Sequence, residues 1–440
     1  MKNPANAFLL AFALFCVSSV NTAAEELSTK QDHQRVLDLL GIEKLRRGAD
    51  GNPDSEYAAN YDESKANNKL GSLPPITTKN QSDWWAQQRP EIVEHFDREI
   101  YGRVPKNLPK VSWVKSKEAT STIAGIPVVV THLIGKVDNR EHPDIEVNIQ
   151  MSVTLPEKQQ GALPLVLEMS ISPEFRELLK KRYTEKQLAE FNGGWQEQVI
   201  RKGWGYAELI PSSAQADNGE GLDKGIIGLA NKGKPRNLED WGVLRAWAWS
   251  ASKAMDYFET NNNIDESRIA IEGHSRYGKA ALVAMAYDSR FAVAFISSSG
   301  EAGAKLWRRN YGEQVGNIAG SGEYHWMAGN FLKYAGPLDV EDIPVDAHQL
   351  IALCAPRPVF ISSGDAGDGW VDPKGMFLAA LHSSPVYELL GKKGLQDRNF
   401  PEVGIGLMQG DIAWRQHTGG HTPGPNWTTF LEFSERYFSR

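Results

Sequence analysis

The spacing of apolar and polar positions divides the chain into two parts. In the first, four segments rich in β-branched residues and bounded by Pro or Gly predict strands over residues 110–119, 126–137, 144–156 and 163–172. From about residue 195, apolar runs of strand length alternate with amphipathic helical patterns, the longest of which covers residues 238–261. Antiparallel strands followed by βα units are typical of α/β proteins, in which helices cover both faces of a mostly parallel sheet. The pattern therefore predicts a three-layer sandwich.

The first 80 residues do not follow either pattern. Residues 1–24 have Lys2 at their start, then a short apolar run and small residues up to Ala24, which predicts a cleavable signal peptide. Residues 25–80 are polar and predict a loosely packed extension lying over residues 81–440, the predicted catalytic domain. Removal of the signal leaves Cys354 as the one cysteine, which favours a bacterial protein, secreted or periplasmic, without a disulfide.

Composition excludes several classes of protein. The 440 residues carry a formal net charge of −7 and no long basic run, so nucleic acid is not an expected partner. No His or Cys spacing is that of a metal site, and we expect no metal, no cofactor and no membrane segment after the signal is removed. We also expect a monomer. The 13 Trp residues fit core packing or stacking on sugar rings.

A candidate nucleophile lies in the segment "RIAIEGHSRYGKAALVAMAY". An apolar strand pattern runs into a turn with Ser275 at its tip, and a helical pattern follows. This is the arrangement of the nucleophile elbow of α/β-hydrolases, although the second glycine stands at Gly278, one position later than in G-x-S-x-G. The structural alternative is a serine that caps a core helix.

The partners of a catalytic serine on this fold follow it in the chain, an acid first and a histidine second, each in a loop after a strand. "RQHTGGHTPGPNW" offers His421, at the tip of a Gly- and Pro-rich loop, and His417, closer to the preceding strand; we favour His421. "SSGDAGDGWVDPKG" offers Asp365 and Asp368, whereas Asp372 precedes a proline and is expected to cap a helix.

The heptad "GHSRYGK" resembles the G-C-S-R-x-G-K signature of the glucuronoyl esterases of carbohydrate esterase family 15, with His274 in place of Cys. Further segments resemble bacterial members: "NYDESKANN", "WWAQQRPEIVEHFDREIYGRVP", "EDWGVLRAWAW", "KLWRRNYGEQVGNI", "GWVDPKGMF" and "GGHTPGPNW". Together they span most of residues 55–430, and the resemblance implies an α/β-hydrolase fold.

The resemblance also implies roles for individual residues. Ser275 would be the nucleophile, and Arg276 would stabilise the oxyanion through its N–H and guanidinium, since an HGGG-type loop is missing. Lys279 would bind hydroxyls of the glucuronoyl ring, with Glu313 and Trp370 completing the sugar pocket. Glu323 is a further candidate for this pocket. Without the resemblance, a surface ion pair would be the simpler interpretation of Lys279 and Glu313.

One position departs from the family pattern. Many members carry the catalytic acid as Glu in a Q-E-S-G-x-G-G stretch, which here reads "SSSGEAG" with Ser298 at the Glu position. Glu301, three residues later, is expected to be misplaced for this role. The resemblance to bacterial members that carry a carboxylate two residues before the Trp selects Asp368 as the acid, with Asp365 in reserve.

The sequence therefore predicts a serine esterase that cleaves esters between the 4-O-methyl-glucuronate of glucuronoxylan and lignin alcohols. Two alternatives remain at this point. One is an acetyl xylan esterase or other carboxylic ester hydrolase on the same fold, and the other is a catalytically weak carbohydrate-binding protein.

Overall fold

The computed structural model describes residues 27–439 and contains a central sheet of ten strands within that range. The predicted signal peptide lies outside the described residues. The strands are β1 (Val111–Ile123), β2 (Ile126–Val137), β3 (Asn148–Pro156), β4 (Leu163–Met169), β5 (Gly205–Ile210), β6 (Ile264–His274), β7 (Val293–Ser297), β8 (Val359–Gly364), β9 (Gly406–Leu407) and β10 (Ile412–His417).

The sheet is mostly parallel, as predicted. Its order is β1-β2-β3-β5-β4-β6-β7-β8-β10-β9, and the strands from β5 to β10 along this order run parallel. The first three strands and β9 join antiparallel at the two edges. The carboxyl ends of β6, β7, β8 and β10 therefore meet at one edge of the sheet, where open α/β sheets bind their ligands.

Helices cover both faces of this sheet. They are α1 (Thr29–Leu40), α2 (Glu63–Ala66), α3 (Gln81–Asp83), α4 (Arg89–His95), α5 (Pro173–Arg182), α6 (Glu185–Asn192), α7 (Trp195–Arg201), α8 (Gly225–Ala230), α9 (Val243–Phe258), α10 (Arg276–Tyr287), α11 (Val315–Ile318), α12 (Ala347–Cys354), α13 (Pro373–Leu389) and α14 (Trp427–Phe438). Two π-helical stretches, Trp84–Gln88 and Phe96–Ile100, flank α4.

Alternate residues of the parallel strands enter two separate cores. Leu167, Ile271 and Ile296 face the larger core, to which α9, α10, α12 and α13 contribute. Their neighbours in the strands, such as Phe295, face a smaller core built from α7 and α14. Seven Trp side chains are fully buried: Trp84, Trp195, Trp241, Trp247, Trp307, Trp414 and Trp427. Most of the tryptophan content therefore serves packing, and the layers are those of an α/β-hydrolase.

The polar segment that precedes residue 81 packs more firmly than its composition predicts. Helix α1 begins with a Ser28 capping box and ends at Gly41, and its Val36 and Leu37 are buried in the larger core. Asp32 accepts a hydrogen bond from the Tyr324 hydroxyl at 2.8 Å. No helix within residues 27–439 is long and apolar enough to cross a membrane.

Candidate active site

Ser275 occupies a strained turn between β6 and α10. Its φ of 57° and ψ of −127° are unusual for a residue with a Cβ, and such strain is typical of functional sites. A Cβ on Gly273 would lie 2.2 Å from the carbonyl oxygen of Tyr277, and one on Gly278 would lie 2.9 Å from that of Ser297. The two glycines thus let the turn close against itself and against β7. This close approach explains why glycine is needed at 278 and not at 277.

His421 and Asp368 form a hydrogen-bonded pair at the carboxyl edge of the sheet. His421 Nδ1 donates to Asp368 Oδ1 at 2.7 Å. Asp368 is fully buried, and its Oδ2 accepts from the Ser298 hydroxyl and from the Gly364 N–H, both at 2.7 Å. Because Nδ1 carries the proton, Nε2 of His421 is the basic nitrogen.

The two reserve residues make other contacts. Asp365 is exposed, and its Oδ1 accepts from the Gly419 N–H at 2.7 Å, which joins the two loops. His417 is buried; its Nε2 donates to the Gly420 carbonyl at 3.1 Å and its Nδ1 accepts from Asn426 Nδ2 at 2.8 Å. With both ring nitrogens engaged, His417 supports the loop that carries His421.

His274 links the serine turn to the histidine loop. It directly precedes Ser275, and its ring centroid lies 4.3 Å from that of His421. Its Nδ1 lies 3.1 Å from the Ser297 hydroxyl. Burial, together with the neighbouring His421, holds the pKa of His274 well below its usual range. A neutral imidazole therefore packs against His421 and brings Ser275 and His421 to the same part of the edge.

One helical turn after Ser275, Lys279 of α10 is buried together with an oppositely charged side chain. Lys279 Nζ and Glu313 Oε2 are 3.0 Å apart, and their side chains are 5% and 6% exposed. The interpretation as a surface ion pair is therefore wrong. Lys279 also donates to the Glu301 carbonyl, and Glu313 Oε2 accepts from the Glu301 N–H at 3.0 Å.

Arg276 is held by a residue that the sequence did not single out. Its Nη1 donates to Asp217 Oδ2 at 2.6 Å, and its Cζ lies 5.3 Å from the centre of the Trp326 ring. Asp217 lies in the polar stretch "SAQADNGEG" after β5, where no motif or periodicity distinguishes it. A carboxylate in a loop has no sequence signal for its partner, so only the fold reveals this contact.

Two of the remaining candidates, Glu323 and Trp370, lie close to Glu313. Burial, reinforced by the charge of Glu313, raises the pKa of Glu323 to about 7, and its Oε2 is buried without a hydrogen-bond partner among the described residues. Trp370 is half-buried, and its carbonyl accepts from the Glu313 N–H at 2.8 Å. Glu301 is buried and paired with Lys305, whereas the carboxylate bonded to His421 is that of Asp368.

The structure shows how the position of the acid differs from the family pattern. Ser298 stands at the position where many members carry Glu, and its hydroxyl donates to Asp368. Asp368, and not residue 298, therefore contacts His421.

Asp372 caps α13 through the Gly375 N–H, as predicted, and binds Arg309. Within residues 27–439, no group of three or more His, Cys, Asp or Glu side chains is arranged to hold a metal ion.

Comparison with known proteins decides which family this site belongs to. A carbohydrate esterase of an unknown prokaryotic organism is 32% identical over 383 residues, which cover 81% of this chain and 85% of that relative. The solved structure of a glucuronoyl esterase from Teredinibacter turnerae is 52% identical, with a TM-score of 0.89 over 93% of this chain and 99% of that one. The chain belongs to carbohydrate esterase family 15, the glucuronoyl esterases.

In sequence, the fungal relatives match the central part of the chain. The model of the fungal glucuronyl esterases matches residues 236–391. A 4-O-methyl-glucuronoyl methylesterase of Wolfiporia cocos is 34% identical over 157 residues, 34% of this chain and 38% of that protein. The matched region of the family model contains the serine turn, Lys279, Glu313 and Asp368 but not His421. The chain is accordingly a bacterial-type glucuronoyl esterase and a carboxylic ester hydrolase.

Proposed function

We propose that this protein hydrolyses the ester that joins the carboxyl group of 4-O-methyl-glucuronate, on glucuronoxylan, to an alcohol of lignin. The observation that carries the proposal is the 2.7 Å pair of His421 and Asp368 beside the strained Ser275 turn, with the buried Lys279–Glu313 pair on the opposite side. The named activities of the fungal relatives support the same substrate class.

In the proposed acylation, Ser275 Oγ attacks the carbonyl carbon and its proton passes to Nε2 of His421. Asp368 stabilises the imidazolium that forms. The guanidinium and N–H of Arg276 stabilise the tetrahedral oxyanion, a contribution that is large when the donors are already in place. When the intermediate collapses, the bond to the alcohol oxygen breaks and His421 returns the proton to that oxygen.

In the proposed deacylation, water attacks the acyl-enzyme and gives its proton to His421. The bond to Ser275 Oγ then breaks, the serine regains its proton and the uronic acid leaves. Lys279, Glu313 and Trp370 bind the sugar on the acyl side throughout, with Glu323 at the edge of the same pocket. All of these residues come from one chain, so the proposal requires no second subunit.

We also propose that the protein acts outside the cytoplasm. The support for export is the charge and apolar pattern of residues 1–24, and the polymeric nature of the proposed substrate requires an extracellular or periplasmic location.

Hydrolysis of benzyl glucuronate, compared with an acetylated xylan and a simple aryl acetate, tests the proposal. We expect turnover of the glucuronate ester by the wild type and its loss in Ser275→Ala. Activity on acetyl esters alone would contradict the substrate and leave the serine chemistry in place. Turnover that survives in Ser275→Ala would contradict the nucleophile.

A further inference from the structure

The carboxylate of Asp217 receives three side-chain donors from two different elements. Arg276 Nη1 reaches Oδ2 at 2.6 Å, while His325 Nε2 and Trp326 Nε1 reach Oδ1 at 2.9 and 2.7 Å. Asp217 follows β5, and His325 and Trp326 form the 3₁₀ turn Tyr324–Trp326. The carboxylate therefore joins a loop and a 3₁₀ turn to the residue that directly follows Ser275.

The cluster contains one negative charge, on the Asp217 carboxylate, and one positive charge, on the Arg276 guanidinium. Burial alone would raise the pKa of Asp217, but the hydrogen bonds from His325 and Trp326 and the charge of Arg276 lower it to about 2. Burial lowers the pKa of His325 despite the neighbouring Asp217, so this imidazole is neutral and donates its Nε2–H. The pKa of Arg276 is raised, because the attraction of Asp217 exceeds the effect of burial. Asp217 thus stays ionised over the whole range in which an esterase works.

Trp326 extends the same support to the second cation of the pocket. Its ring centre lies 5.3 Å from Cζ of Arg276 and 5.5 Å from Nζ of Lys279, within the range of cation–π attraction. Because Asp217 accepts the indole N–H, it fixes the orientation of the ring against which both cations lie.

Arg276 needs such support because its side chain is 47% exposed, although it follows the buried end of β6. A long, half-exposed side chain has many rotamers, and an oxyanion donor is effective only when it is already in position at the moment of reaction. The contact with Asp217 restricts the guanidinium without removing its remaining N–H donors.

We propose that Asp217 is a positioning residue that holds the Arg276 guanidinium beside the reacting carbonyl, so that it sets kcat and leaves KM nearly unchanged. This inference rests on the proposed role of Arg276 in the ester hydrolysis. It adds a carboxylate that contacts neither the substrate nor Ser275, and whose effect on kcat is exerted through the arginine.

The test is a double-mutant cycle with benzyl glucuronate, in which kcat and KM are measured for Asp217→Asn, Arg276→Ala and the double variant. We expect Arg276→Ala to lower kcat by about 10²- to 10³-fold, as for other oxyanion donors, and Asp217→Asn to lower it by roughly 10- to 100-fold with little change in KM. In the Arg276→Ala background, Asp217→Asn should cause no further loss, because the residue through which it acts is absent.

Chemical rescue gives a readout that a structural role would not produce. Guanidinium ion added to Arg276→Ala should restore part of kcat while Asp217 is present to bind it, and should restore none in the double variant. Asp265→Asn is the matched control, since it removes an Asp–Arg pair of the same 2.6 Å separation, with Arg268, away from the site. Asp217→Glu provides a second variant that keeps the charge, and it should retain more kcat than Asp217→Asn.

The outcomes separate the two proposals. If Arg276→Ala keeps wild-type kcat, the oxyanion role of Arg276 fails and the inference fails with it. If Arg276→Ala loses kcat but Asp217→Asn does not, or loses the same factor in both backgrounds, the arginine role stands and the positioning role of Asp217 is overturned.

Discussion

The two sides of Ser275 are built differently. On the acyl side, Lys279 and Glu313 are about 5% exposed and bound to each other, and Trp326 and Asp217 fix the neighbouring cation. On the His421 side, the imidazole is 41% exposed and packs on His274, which itself contacts the exposed Phe191. We refer to these regions as the acyl side (Lys279, Glu313, Arg276, Trp326, Asp217) and the alcohol side (His421, His274, Phe191).

With the roles proposed above for these residues, this difference predicts where the enzyme discriminates between substrates. A buried ion pair loses much of its hydration energy, and well-packed apolar residues would stabilise the same volume at least as well. A pocket that keeps such a pair therefore favours recognition over stability. The alcohol side is more exposed. Helix α5, which precedes Phe191 in the chain, has no buried residue. We therefore expect the enzyme to be selective for the acid part of the ester and to accept a range of alcohol parts.

The largest expected effect comes from changing Asp368, the buried carboxylate that binds His421 of the alcohol side. Asp368→Asn removes the charge that orients His421 and stabilises its imidazolium, and such changes lower kcat by roughly 10³- to 10⁴-fold in Ser-His-Asp enzymes. The matched control is Asp365→Asn, which alters only the contact with Gly419 and should stay within a few-fold of the wild type. Steady-state kinetics on benzyl glucuronate compare the two. A larger loss for Asp365→Asn would reverse the assignment of the acid.

Breaking the acyl side should affect both binding and stability. Lys279→Met removes the partner of the buried Glu313, and an uncompensated buried charge costs about 3–5 kcal/mol of unfolding free energy. The same change removes the proposed ligand of the sugar hydroxyls, so KM for the glucuronate ester should rise by about tenfold or more. Denaturant unfolding and kinetics measure the two effects.

Lys115→Met is the control for that variant. It breaks the Lys115–Glu118 pair, whose side chains are 54% and 47% exposed, and exposed pairs contribute about 0–1 kcal/mol. If Lys279→Met were no less stable than Lys115→Met and had the wild-type KM, the acyl side would not be the recognition surface that its burial indicates.

The fold was accessible from the sequence because its signals are local and repeated. Strand β2 was predicted with its observed bounds, and the change to βα units near residue 195 correctly indicated a mostly parallel sheet. Strand β9, with two residues, and the helices α5 and α6 have no strong periodic signal and were not predicted. The packing of α1 was underestimated because few of its residues are apolar, yet Val36 and Leu37 lie on one face and enter the core.

The site could be predicted where chain order or a family motif limits the choice. The hydrolase order places an acid and a histidine in loops after strands, which led to Asp368, Asp365 and His421. Chain order alone does not separate Asp365 from Asp368. The resemblance to bacterial members with a carboxylate two residues before the Trp selected Asp368, and the turn after β8, in which the Gly364 N–H binds Asp368, places it against His421. Asp217 lies 58 positions before Ser275 in a polar loop, and its contact depends on tertiary structure alone.

A smaller effect is expected from Glu323, next to the acyl side, on the pH dependence of stability. Burial and the charge of Glu313 raise the pKa of Glu323 to about 7 from an ordinary value of 4.5. Between these two values the unfolded chain releases this proton while the folded protein keeps it, so the contribution of Glu323 to stability falls as the pH rises from about 4.5 to 7. Glu323→Gln removes this dependence. Its melting temperature should therefore increase relative to that of the wild type between pH 5 and pH 8.

Melting curves of the wild type, Glu323→Gln and Glu266→Gln at several pH values test this expectation. Glu266 is exposed, and its variant should follow the wild type throughout. A Glu323→Gln curve parallel to that of the wild type would show that this carboxyl is solvated, and the acyl side would then be less enclosed than its geometry indicates. Burial also raises the pKa of Glu301 to about 8, which affects all three proteins equally.

The smallest effect is expected on the alcohol side itself. The T-shaped contact of the Phe191 ring with His274, at 5.5 Å, lies next to the imidazole of His421, the proposed proton donor to the departing alcohol. An aromatic alcohol can pack on this ring, and such a contact is worth about 0.5–1.5 kcal/mol. Phe191→Ala should therefore lower kcat/KM for benzyl glucuronate by roughly 2- to 10-fold and leave the methyl ester unchanged. Phe175→Ala, which removes a ring that is 50% exposed in α5, should change neither ester. An equal loss on both esters would mean that Phe191 supports His274 instead of the alcohol, and the alcohol side would then have no element of recognition at this position.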